Sequence, residues 1–326
     1  MNGYISLTPD AGTEGPATLI QNATDGEYAA KEPSMRTLVA IPVFNEQRHV
    51  RDVLGRVLEN APNVLVIDDG STDQTPRILP DFPVEMIRHA TNRGYGKSLR
   101  DAFRFAIAEK YDWLITMDCD EQHEPAAIPG FLKAALDPDV DIISGSRYLL
   151  PQDGQDRPPP ERRAINATIT AELNCRLSGA IGTLLTDAFC GFKAYRVSGL
   201  RKLRPTVRGY AFPMQFWVQA AAAGLQVREL PVRLIYNDLS RTFGANLDNP
   251  EVRLAHYRHV LHREIKKHAP RLPRAALGGV TEPYASECCQ SEDQRHDPKL
   301  CESVRHQCAA EHRAETPNPS SGCCRR

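Results

Sequence analysis

The chain of 326 residues lacks two features that would assign it to a broad class at once: a long apolar run and an excess of charge of one sign. A membrane-spanning helix needs about 18 or more consecutive apolar residues, and no stretch of the sequence approaches that length. Lys and Arg number 40 against 41 Asp and Glu, so the formal net charge is −1. Nucleic-acid-binding proteins usually carry a basic excess. The sequence therefore predicts no transmembrane helix and no nucleic-acid partner.

The chain also starts without a recognisable targeting signal. The residues after Met1 form neither the basic nor the apolar region of a signal peptide, and Asn2 stands where N-myristoylation requires glycine. Of the nine cysteines, six lie beyond residue 287, and their spacing matches no zinc motif. An odd number of cysteines without an export signal favours reduced thiols. We therefore expect a cytoplasmic protein.

Both ends of the chain are poor in large apolar residues. Residues 1–34 are rich in Thr, Gly, Pro and Ala, and residues 269–326 contain only five of Leu, Ile, Val and Phe. Such segments bury too little apolar surface to offset the entropy lost on ordering the chain. The sequence predicts a disordered leader over 1–34, a folded body over 35–268 and a Cys-rich disordered tail over 269–326.

Short apolar runs alternate with helical patterns along the body. The predicted strands are 37–43, 64–67, 84–87, 113–117, 141–144 and 227–235. The predicted helices are 46–59, 95–109, 162–178, 213–223 and 250–267. Continuously apolar strands separated by helices are typical of a sheet whose two faces are both covered. The sequence therefore predicts an α/β fold with a mostly parallel central sheet and helices on both faces.

Acidic side chains follow two of the predicted strands. Asp68 and Asp69 end the second strand, and Asp118, Asp120 and Gln122 follow the fourth. Ligands of parallel sheets bind beyond the carboxyl ends of the strands, and uncompensated carboxylates gathered there would repel one another. Hard oxygen ligands favour Mg²⁺ or Mn²⁺. This pattern predicts a divalent metal at Asp120 and Gln122, with an acidic turn that binds nothing as the alternative.

Four motifs in order resemble the inverting glycosyltransferases of family 2, which have the GT-A fold. They are Ile41–Glu46, Val66–Asp73, Asn92–Lys97 and Asp118–His123. Two further motifs, Gly145–Tyr148 and Asp187–Arg196, are most similar to those of the dolichyl- and polyprenyl-phosphate sugar synthases. The resemblance runs over about 200 residues. It implies a donor and metal half over 35–148, an acceptor half over 149–248 and a C-terminal basic helix over 249–268.

The resemblance also implies roles for individual residues. The donor nucleoside would be framed by Pro42, Phe44, Glu46, Ile67 and Asp69. The ribose and diphosphate would be lined by Asp118, Cys119 and Asp120. The metal would be held by Asp120 and Gln122, and Arg147 would contact the donor phosphate. The implied partners are a GDP- or UDP-sugar and a lipid phosphate.

The chain departs from the synthase pattern in three places. The family's Arg-x-x-x-Ser for the acceptor phosphate is here Arg162, Arg163 and Asn166, with Asn in place of Ser. The late arginine loop carries Arg241 at a different offset, and we predict that it closes over the diphosphate. Gln215 stands where many members have an acidic residue, which weakens the case for a base there.

Two acceptor classes predict different chemistry. A lipid phosphate is largely dianionic at neutral pH, because its second pKa is about 6, and it needs no general base. A saccharide hydroxyl needs one, and Asp187 is then the first candidate, with His123 second. In either case displacement in one step inverts the anomeric centre. An inactive sugar-nucleotide-binding protein is the remaining alternative.

The predicted helix over 249–268 is both basic and amphipathic. Leu254, Tyr257, Leu261 and Ile265 follow one another at steps of three and four residues and so share one face. Such a helix can lie on an anionic membrane, or its apolar face can pack against the enzyme body. The first alternative predicts peripheral contact at the cytoplasmic membrane face.

Overall fold

The structure is a computed structural model. It describes residues 4–6 and 18–20 as backbone, and residues 35–150, 156–236 and 245–280. All of these residues belong to one compact unit that ends at Glu282.

The described strands form one mixed sheet. The strands are β1 (Tyr4–Ser6), β2 (Thr18–Ile20), β3 (Thr37–Val43), β4 (Val64–Asp68), β5 (Glu85–Arg88), β6 (Trp113–Thr116), β7 (Ile142–Ser146), β8 (Lys193–Arg196) and β9 (Val227–Pro231). Their order across the sheet is β1-β2-β5-β4-β3-β6-β8-β7-β9. The central strands β5, β4, β3 and β6 are parallel, and so are β7 and β9. The predicted α/β fold is confirmed.

Strand β8 was not predicted. It lies antiparallel between β6 and β7, with Lys193 opposite Thr116 and Tyr195 opposite Leu114. Its four residues begin with Lys193 and end with Arg196, so they lack the apolar run by which the other strands were found. The leader also contributes two short strands, β1 and β2, which pair antiparallel beside β5. Both strands are three residues long and lie within the segment 1–34, for which no strand was predicted.

Helices cover both faces of the sheet. In the described residues they are α1 (Val50–Leu58), α2 (Thr75–Ile78), α3 (Tyr95–Ala108), α4 (Ile128–Ala134), α5 (Pro160–Ile181), α6 (Val197–Leu200), α7 (Phe212–Ala222) and α8 (Pro250–His268). Strand β3 shows why both faces are apolar. Leu38 and Ala40 pack with α3, α5, α7 and α8, whereas Val39 and Ile41 pack with α1 and α4. Successive side chains of a strand point to opposite faces, so a continuously apolar strand requires cover on both.

Helix α8 uses its apolar face to pack on the enzyme body. Tyr257, Leu261 and Ile265 are buried in the same core cluster as α5 and α7. This face is therefore not available for insertion into a membrane, which corrects the first of the two alternatives for this helix. None of the described helices is long and apolar enough to cross a bilayer.

A buried polar cluster fixes α8 to α7. The Glu264 carboxylate is 1% exposed. It accepts hydrogen bonds from Gln215 Nε2 at 2.9 Å and Gln219 Nε2 at 2.8 Å. Gln215 Oε1 in turn accepts from the backbone N–H groups of Thr206 and Val207. Gln215 thus has a packing role, in agreement with the weak case for a base at this position.

The folded body continues past the predicted boundary at 268. Two 3₁₀ turns, 269–271 and 274–277, follow α8 without a break. Ala276 is fully buried, and Arg176 Nη1 donates to the carbonyl oxygens of Ala276 at 2.9 Å and Gly278 at 2.7 Å. The boundary needs correction to at least Val280, because this segment closes over α5.

Two truncations test the corrected boundary. Ending the chain after Glu282 is expected to preserve the melting temperature and activity. Ending it after His268 removes buried Ala276 and the two carbonyl acceptors of Arg176 Nη1, which we expect to cost about 2–4 kcal/mol of the free energy of unfolding. Urea titration of both truncated proteins measures the difference. Equal unfolding midpoints would restore the boundary at 268.

Candidate active site

The loops after β3 and β4 are joined by side-chain bonds to backbone. Asn45, in the left-handed region at φ 57°, accepts the N–H of Thr72 at 2.8 Å through Oδ1. Ser71 Oγ accepts the N–H of Asn45 at 2.9 Å, and Asp73 accepts that of Gln47 at 3.0 Å. These hydrogen bonds join the motifs Ile41–Glu46 and Val66–Asp73 into one edge at the carboxyl end of the sheet.

Asp69 lies behind this edge and is 4% exposed. Its carboxylate accepts the backbone N–H groups of Arg93 and Gly94, each at 2.8 Å, and contacts His89 Nδ1 at 2.6 Å. The buried Asp69 carboxylate therefore holds the backbone of the turn at Arg93 and Gly94 in place. The turn that it fixes begins the motif Asn92–Lys97.

Asp118 begins the acidic loop after β6. Its side chain is 33% exposed, and it accepts a hydrogen bond from the Tyr95 hydroxyl. Burial, together with the Asp118 charge, raises the pKa of that phenol. A Cβ at Gly191 would lie 2.6 Å from Asp118 Oδ2 and 2.9 Å from the Tyr95 oxygen. Only glycine permits the chain to approach this carboxylate so closely.

His123 is buried beneath the same loop. The backbone N–H of Asp118 donates to its Nδ1 at 3.0 Å, so the neutral ring carries its proton on Nε2. Burial lowers the pKa of His123 to about 4, although the Asp120 carboxylate acts in the opposite direction. His123 is therefore neutral at physiological pH and is a weak base, which argues against its predicted catalytic role.

Asp120 and Gln122 occupy a turn that is anchored from outside. The N–H of Gln122 donates to Asp120 Oδ1 at 3.1 Å. Between them Glu121, at φ 60°, reaches α1 and lies 3.3 Å from both Arg56 Nη2 and His49 Nδ1. Glu121 was not selected from the sequence, because its partners Arg56 and His49 precede it by 65 residues or more.

The residues of this loop fit a divalent cation. Asp118 and Asp120 are half-buried carboxylates, and Gln122 offers an amide oxygen, so the donors are hard oxygen atoms. Within the described ranges, no group of three or more His, Cys, Asp or Glu forms a closed metal cage. A cation bound here would keep positions for other oxygen ligands, which is how Mg²⁺ is held with substrate phosphates.

Arg147 and Asp187 form an ion pair in which the Asp187 side chain is fully buried and that of Arg147 is 13% exposed. Arg147 Nε lies 2.6 Å from Asp187 Oδ2, and Nη2 lies 3.0 Å from Oδ1, in the bidentate geometry of guanidinium and carboxylate. Asn166 Nδ2 also donates to Asp187 Oδ1 at 2.7 Å. Burial alone would raise the pKa of Asp187, but the Arg147 charge holds it well below its usual range. A carboxylate held in this way is a weak base, which argues against the predicted role of Asp187 as a general base.

This ion pair joins residues predicted for two different substrates. Arg147 was assigned to the donor phosphate, and Asn166 to the acceptor phosphate. Asn166 is 4% exposed, and its amide is used by Asp187 and by Thr170, whose hydroxyl donates to Oδ1 at 3.0 Å. Asn166 thus helps to hold the Asp187 carboxylate in place by a buried hydrogen bond. Arg147 and Asn166, which were predicted for different phosphates, therefore share one carboxylate.

Glu229 of β9 fixes the loop that carries Asp187. Its carboxylate accepts the N–H groups of Thr186 at 2.9 Å and Asp187 at 3.1 Å, and also the Thr186 hydroxyl at 2.6 Å. Glu229 was not predicted as a site residue, because Thr186 and Asp187 precede it by more than 40 residues in the chain.

The start of α5 brings more positive charge to this place. The Arg163 guanidinium lies 3.9 Å from the centre of the Tyr148 ring, and that of Arg147 lies 5.7 Å from it. Burial raises the pKa of Tyr148 to about 12, so this ring is a neutral phenol between two cations. Arg162 precedes Arg163 and is half-buried. Two guanidinium groups, those of Arg147 and Arg163, therefore meet at the Tyr148 ring.

The remaining predicted residues differ in exposure. Phe44 is 44% exposed, and Pro42 and Glu46 are half-buried at the same sheet edge. Ile67 and Cys119 are buried in the core, so their side chains support the edge and do not line it. Arg241 lies outside the described residues, and its predicted role stays a prediction.

Comparison with known proteins identifies the family. A family model described as "Glycosyl transferase family 2" matches residues 38–204, just over half of the chain. The chain belongs to glycosyl transferase family 2. The match spans every loop described above from Asn45 to Gly191. The predicted family assignment and enzyme class are confirmed, and the chain is a glycosyltransferase.

Two relatives carry more specific names. The chain is 28% identical to the polyprenol monophosphomannose synthase of Mycolicibacterium smegmatis over 242 residues. This alignment covers 70% of this chain and 89% of that protein. It is 30% identical to the undecaprenyl-phosphate mannosyltransferase of Micrococcus luteus over 218 residues, or 64% of this chain and 87% of that protein. This family 2 chain thus has relatives among the polyprenyl-phosphate sugar transferases, as predicted.

Solved structures support the fold. Glucosyl-3-phosphoglycerate synthase from Mycobacterium tuberculosis, in complex with Mn²⁺, UDP and glucosyl-3-phosphoglycerate, superposes with a TM-score of 0.50 at 17% identity. The match covers 72% of this chain and 80% of that one. At this identity the likeness supports the predicted GT-A fold of the family 2 enzyme.

Proposed function

We propose that this family 2 enzyme transfers a sugar, with inversion and with a divalent metal, from a nucleotide-diphospho-sugar to a polyprenyl or dolichyl phosphate. The observation that carries the proposal is the Arg147–Asp187 ion pair. The Arg147 guanidinium occupies both oxygens of the Asp187 carboxylate, and a positive group without a free carboxylate beside it supports a phosphate acceptor. The names of the polyprenol and undecaprenyl relatives support the same acceptor class.

The acceptor assignment follows from the weakness of both candidate bases. The Arg147 charge holds the pKa of Asp187 well below its usual range, and burial lowers the pKa of His123 to about 4. Neither group can take a proton from a saccharide hydroxyl efficiently near pH 7. A lipid phosphate is already ionised there and requires only positive groups that orient it. Arg162 and Arg163 provide them.

The donor is bound at the edge formed by the loops after β3 and β4. Phe44, Pro42 and Glu46 would face the nucleoside, while Asp69 fixes the surface from beneath. Arg147 would contact the donor phosphate with a charge-assisted bond. Because Asp187 holds its guanidinium by two bonds, Arg147 is oriented before substrate arrives, which lowers the cost of binding.

Asp118, Asp120 and Gln122 would hold Mg²⁺ or Mn²⁺ against the diphosphate. A cation held by these residues would supply Lewis-acid stabilisation of the negative charge that develops on the leaving nucleoside diphosphate. The acceptor oxygen attacks the anomeric carbon as the bond to the diphosphate breaks. A single displacement of this kind converts an α-linked donor into a β-linked product.

A matched acceptor screen tests the proposal. UDP- and GDP-sugars are each incubated with Mn²⁺ and either undecaprenyl phosphate, undecanol or a simple saccharide, and nucleoside diphosphate release is measured. We expect release only with the lipid phosphate. At saturating donor the rate should rise through about pH 6 as the phosphate ionises and then stay level. An anomeric coupling constant of the product checks inversion. Turnover with the saccharide but not with the lipid phosphate would overturn the acceptor assignment.

A further inference from the structure

A chain of four buried charged side chains lies behind the turn at Arg93 and Gly94. His89 Nδ1 is 2.6 Å from Asp69 Oδ1, and His89 Nε2 is 2.8 Å from Asp101 Oδ2. Lys97 Nζ donates to both oxygens of Asp101, at 2.7 and 2.6 Å. All four side chains are at least nine-tenths buried. The cluster contains two carboxylates, one ammonium and one imidazole.

The protonation state of His89 decides whether this cluster is satisfied. As an imidazolium the ring donates to both carboxylates, and the two cations balance the two anions. As a neutral ring it can donate to only one, and the other nitrogen turns a lone pair toward a buried carboxylate. The groups that face His89 are Asp69 and Asp101, with Lys97 behind Asp101. Burial lowers the pKa of His89, but the two carboxylates outweigh it and raise the pKa above its ordinary value of 6.5.

Asp69 connects this cluster to the enzyme surface. The same carboxylate that receives His89 Nδ1 also receives the N–H groups of Arg93 and Gly94. The backbone of Asp69 itself is bonded to the carbonyl of Val43, at the end of β3. Gly70 packs so tightly on this turn that a Cβ there would lie 2.4 Å from the carbonyl carbon of Thr91. A change in the protonation of His89 is therefore expected to affect both the turn at Arg93 and Gly94 and the end of β3.

We infer that His89 is a positioning residue for the donor: clamped as an imidazolium between Asp69 and Asp101, it fixes the Arg93–Gly94 turn that borders the nucleotide pocket. The inference rests on the proposed function for the location of that pocket. It also predicts a pH dependence. Deprotonation of His89 releases one carboxylate, so donor affinity falls as the pH rises through the pKa of His89 in the folded protein.

Two substitutions should move this pH dependence in opposite directions. Asp101→Asn removes one of the carboxylates that stabilise the imidazolium, so the midpoint of the His89 titration should fall by about 1 pH unit. Lys97→Met removes the cation that opposes protonation, so the midpoint should rise by roughly 0.5 pH unit. A residue with only a packing role would not shift the midpoint with opposite signs. His268→Gln on α8, whose imidazole is 3.1 Å from Glu264, is the matched control.

The measurement uses the full chain without ligand. Histidine ring signals and the amide signals of Arg93 and Gly94 are followed by NMR from pH 5 to 9. We expect both amides to shift with the midpoint of His89, and His268→Gln to leave that midpoint unchanged. If His89 stays protonated to pH 9 in the native chain, it should still titrate in Asp101→Asn. A midpoint below 6.5, or amides that do not respond to His89, would overturn the inference.

Binding of the reaction product provides the second readout. The dissociation constants of UDP and GDP with Mn²⁺ are measured over the same pH range. For the nucleotide that binds, affinity should fall about 10-fold across the His89 midpoint, the cost of one lost bond between charged groups. His89→Gln should raise the donor KM by a similar factor and change kcat less than 2-fold. Nucleotide affinity that ignores the His89 midpoint would overturn the inference while leaving the proposed function intact. Failure of both nucleotides to bind at any pH would instead overturn the proposed function, and the amide signals would still report on the turn.

Discussion

Replacement of Asp120 by alanine is expected to reduce sugar transfer at least about 1,000-fold, which corresponds to roughly 4 kcal/mol of transition-state stabilisation. The residue lies in a half-buried turn after β6, and Glu121 holds that turn from the other side through Arg56 and His49. Loss of the Asp120 side chain therefore removes a proposed metal ligand without removing the anchors of the loop. The melting temperature should change by less than about 3 °C.

The controls separate metal binding from the charge of the loop. Gln122→Ala removes a neutral ligand and should reduce activity less, with partial recovery at high Mn²⁺. Asp139→Ala removes an exposed carboxylate near the start of β7 and should change nothing. Mn²⁺ affinity, measured by electron paramagnetic resonance with UDP or GDP present, should fall in the order native, Gln122→Ala, Asp120→Ala. Full activity of Asp120→Ala in excess chelator would remove the metal from the proposed mechanism.

The sheet was largely predictable, and the reason is local. Strand β3 was predicted with its observed bounds, because Val39, Ile41 and Val43 combine β-branched side chains with an unbroken apolar run. Strand β8 was missed, because its first and last residues, Lys193 and Arg196, are charged and interrupt any apolar run. It is stabilised by pairing with β6 and β7. In that strand, tertiary pairing determines a structure that the local pattern does not show.

The candidate site was predictable in membership but not in role. Asp69, Arg147, Asn166 and Asp187 were all selected from motifs. Their roles depend on partners far along the chain, since Arg147 and Asp187 are separated by 40 residues and Asn166 and Asp187 by 21. A motif reveals that a carboxylate is present, whereas its pairing decides whether it is a base or a support. For the same reason Glu229, His89 and Asp101 were not selected.

Replacement of Asp187 by asparagine is expected to lower both stability and activity. The change leaves the buried Arg147 guanidinium without its counter-ion, which typically costs about 3–5 kcal/mol, or roughly 10 °C in melting temperature for a body of this size. Activity should fall about 100-fold, because an unclamped Arg147 no longer meets the phosphates in a fixed geometry. Asparagine retains an acceptor for Asn166 and for the N–H of Phe189, so packing around the site is preserved.

A double-mutant cycle and a pH series distinguish the ion pair from general disruption. Arg147→Met alone leaves the buried Asp187 charge unpaired, whereas the double variant leaves neither charge. The double variant should therefore be at least about 2 kcal/mol more stable than the sum of the two single losses predicts. Because the Arg147 charge lowers the pKa of Asp187 in the folded protein below its ordinary 3.8, the stability from this pair is fully present above that pH and is lost as the pH falls further. Urea titrations of the native protein and Asp187→Asn should thus differ by a constant amount from pH 8 to 5 and converge below about pH 4. Additive losses, or a difference that already shrinks between pH 7 and 5, would show that Asp187 is not held as the charged partner of Arg147 and would reopen its role as a base.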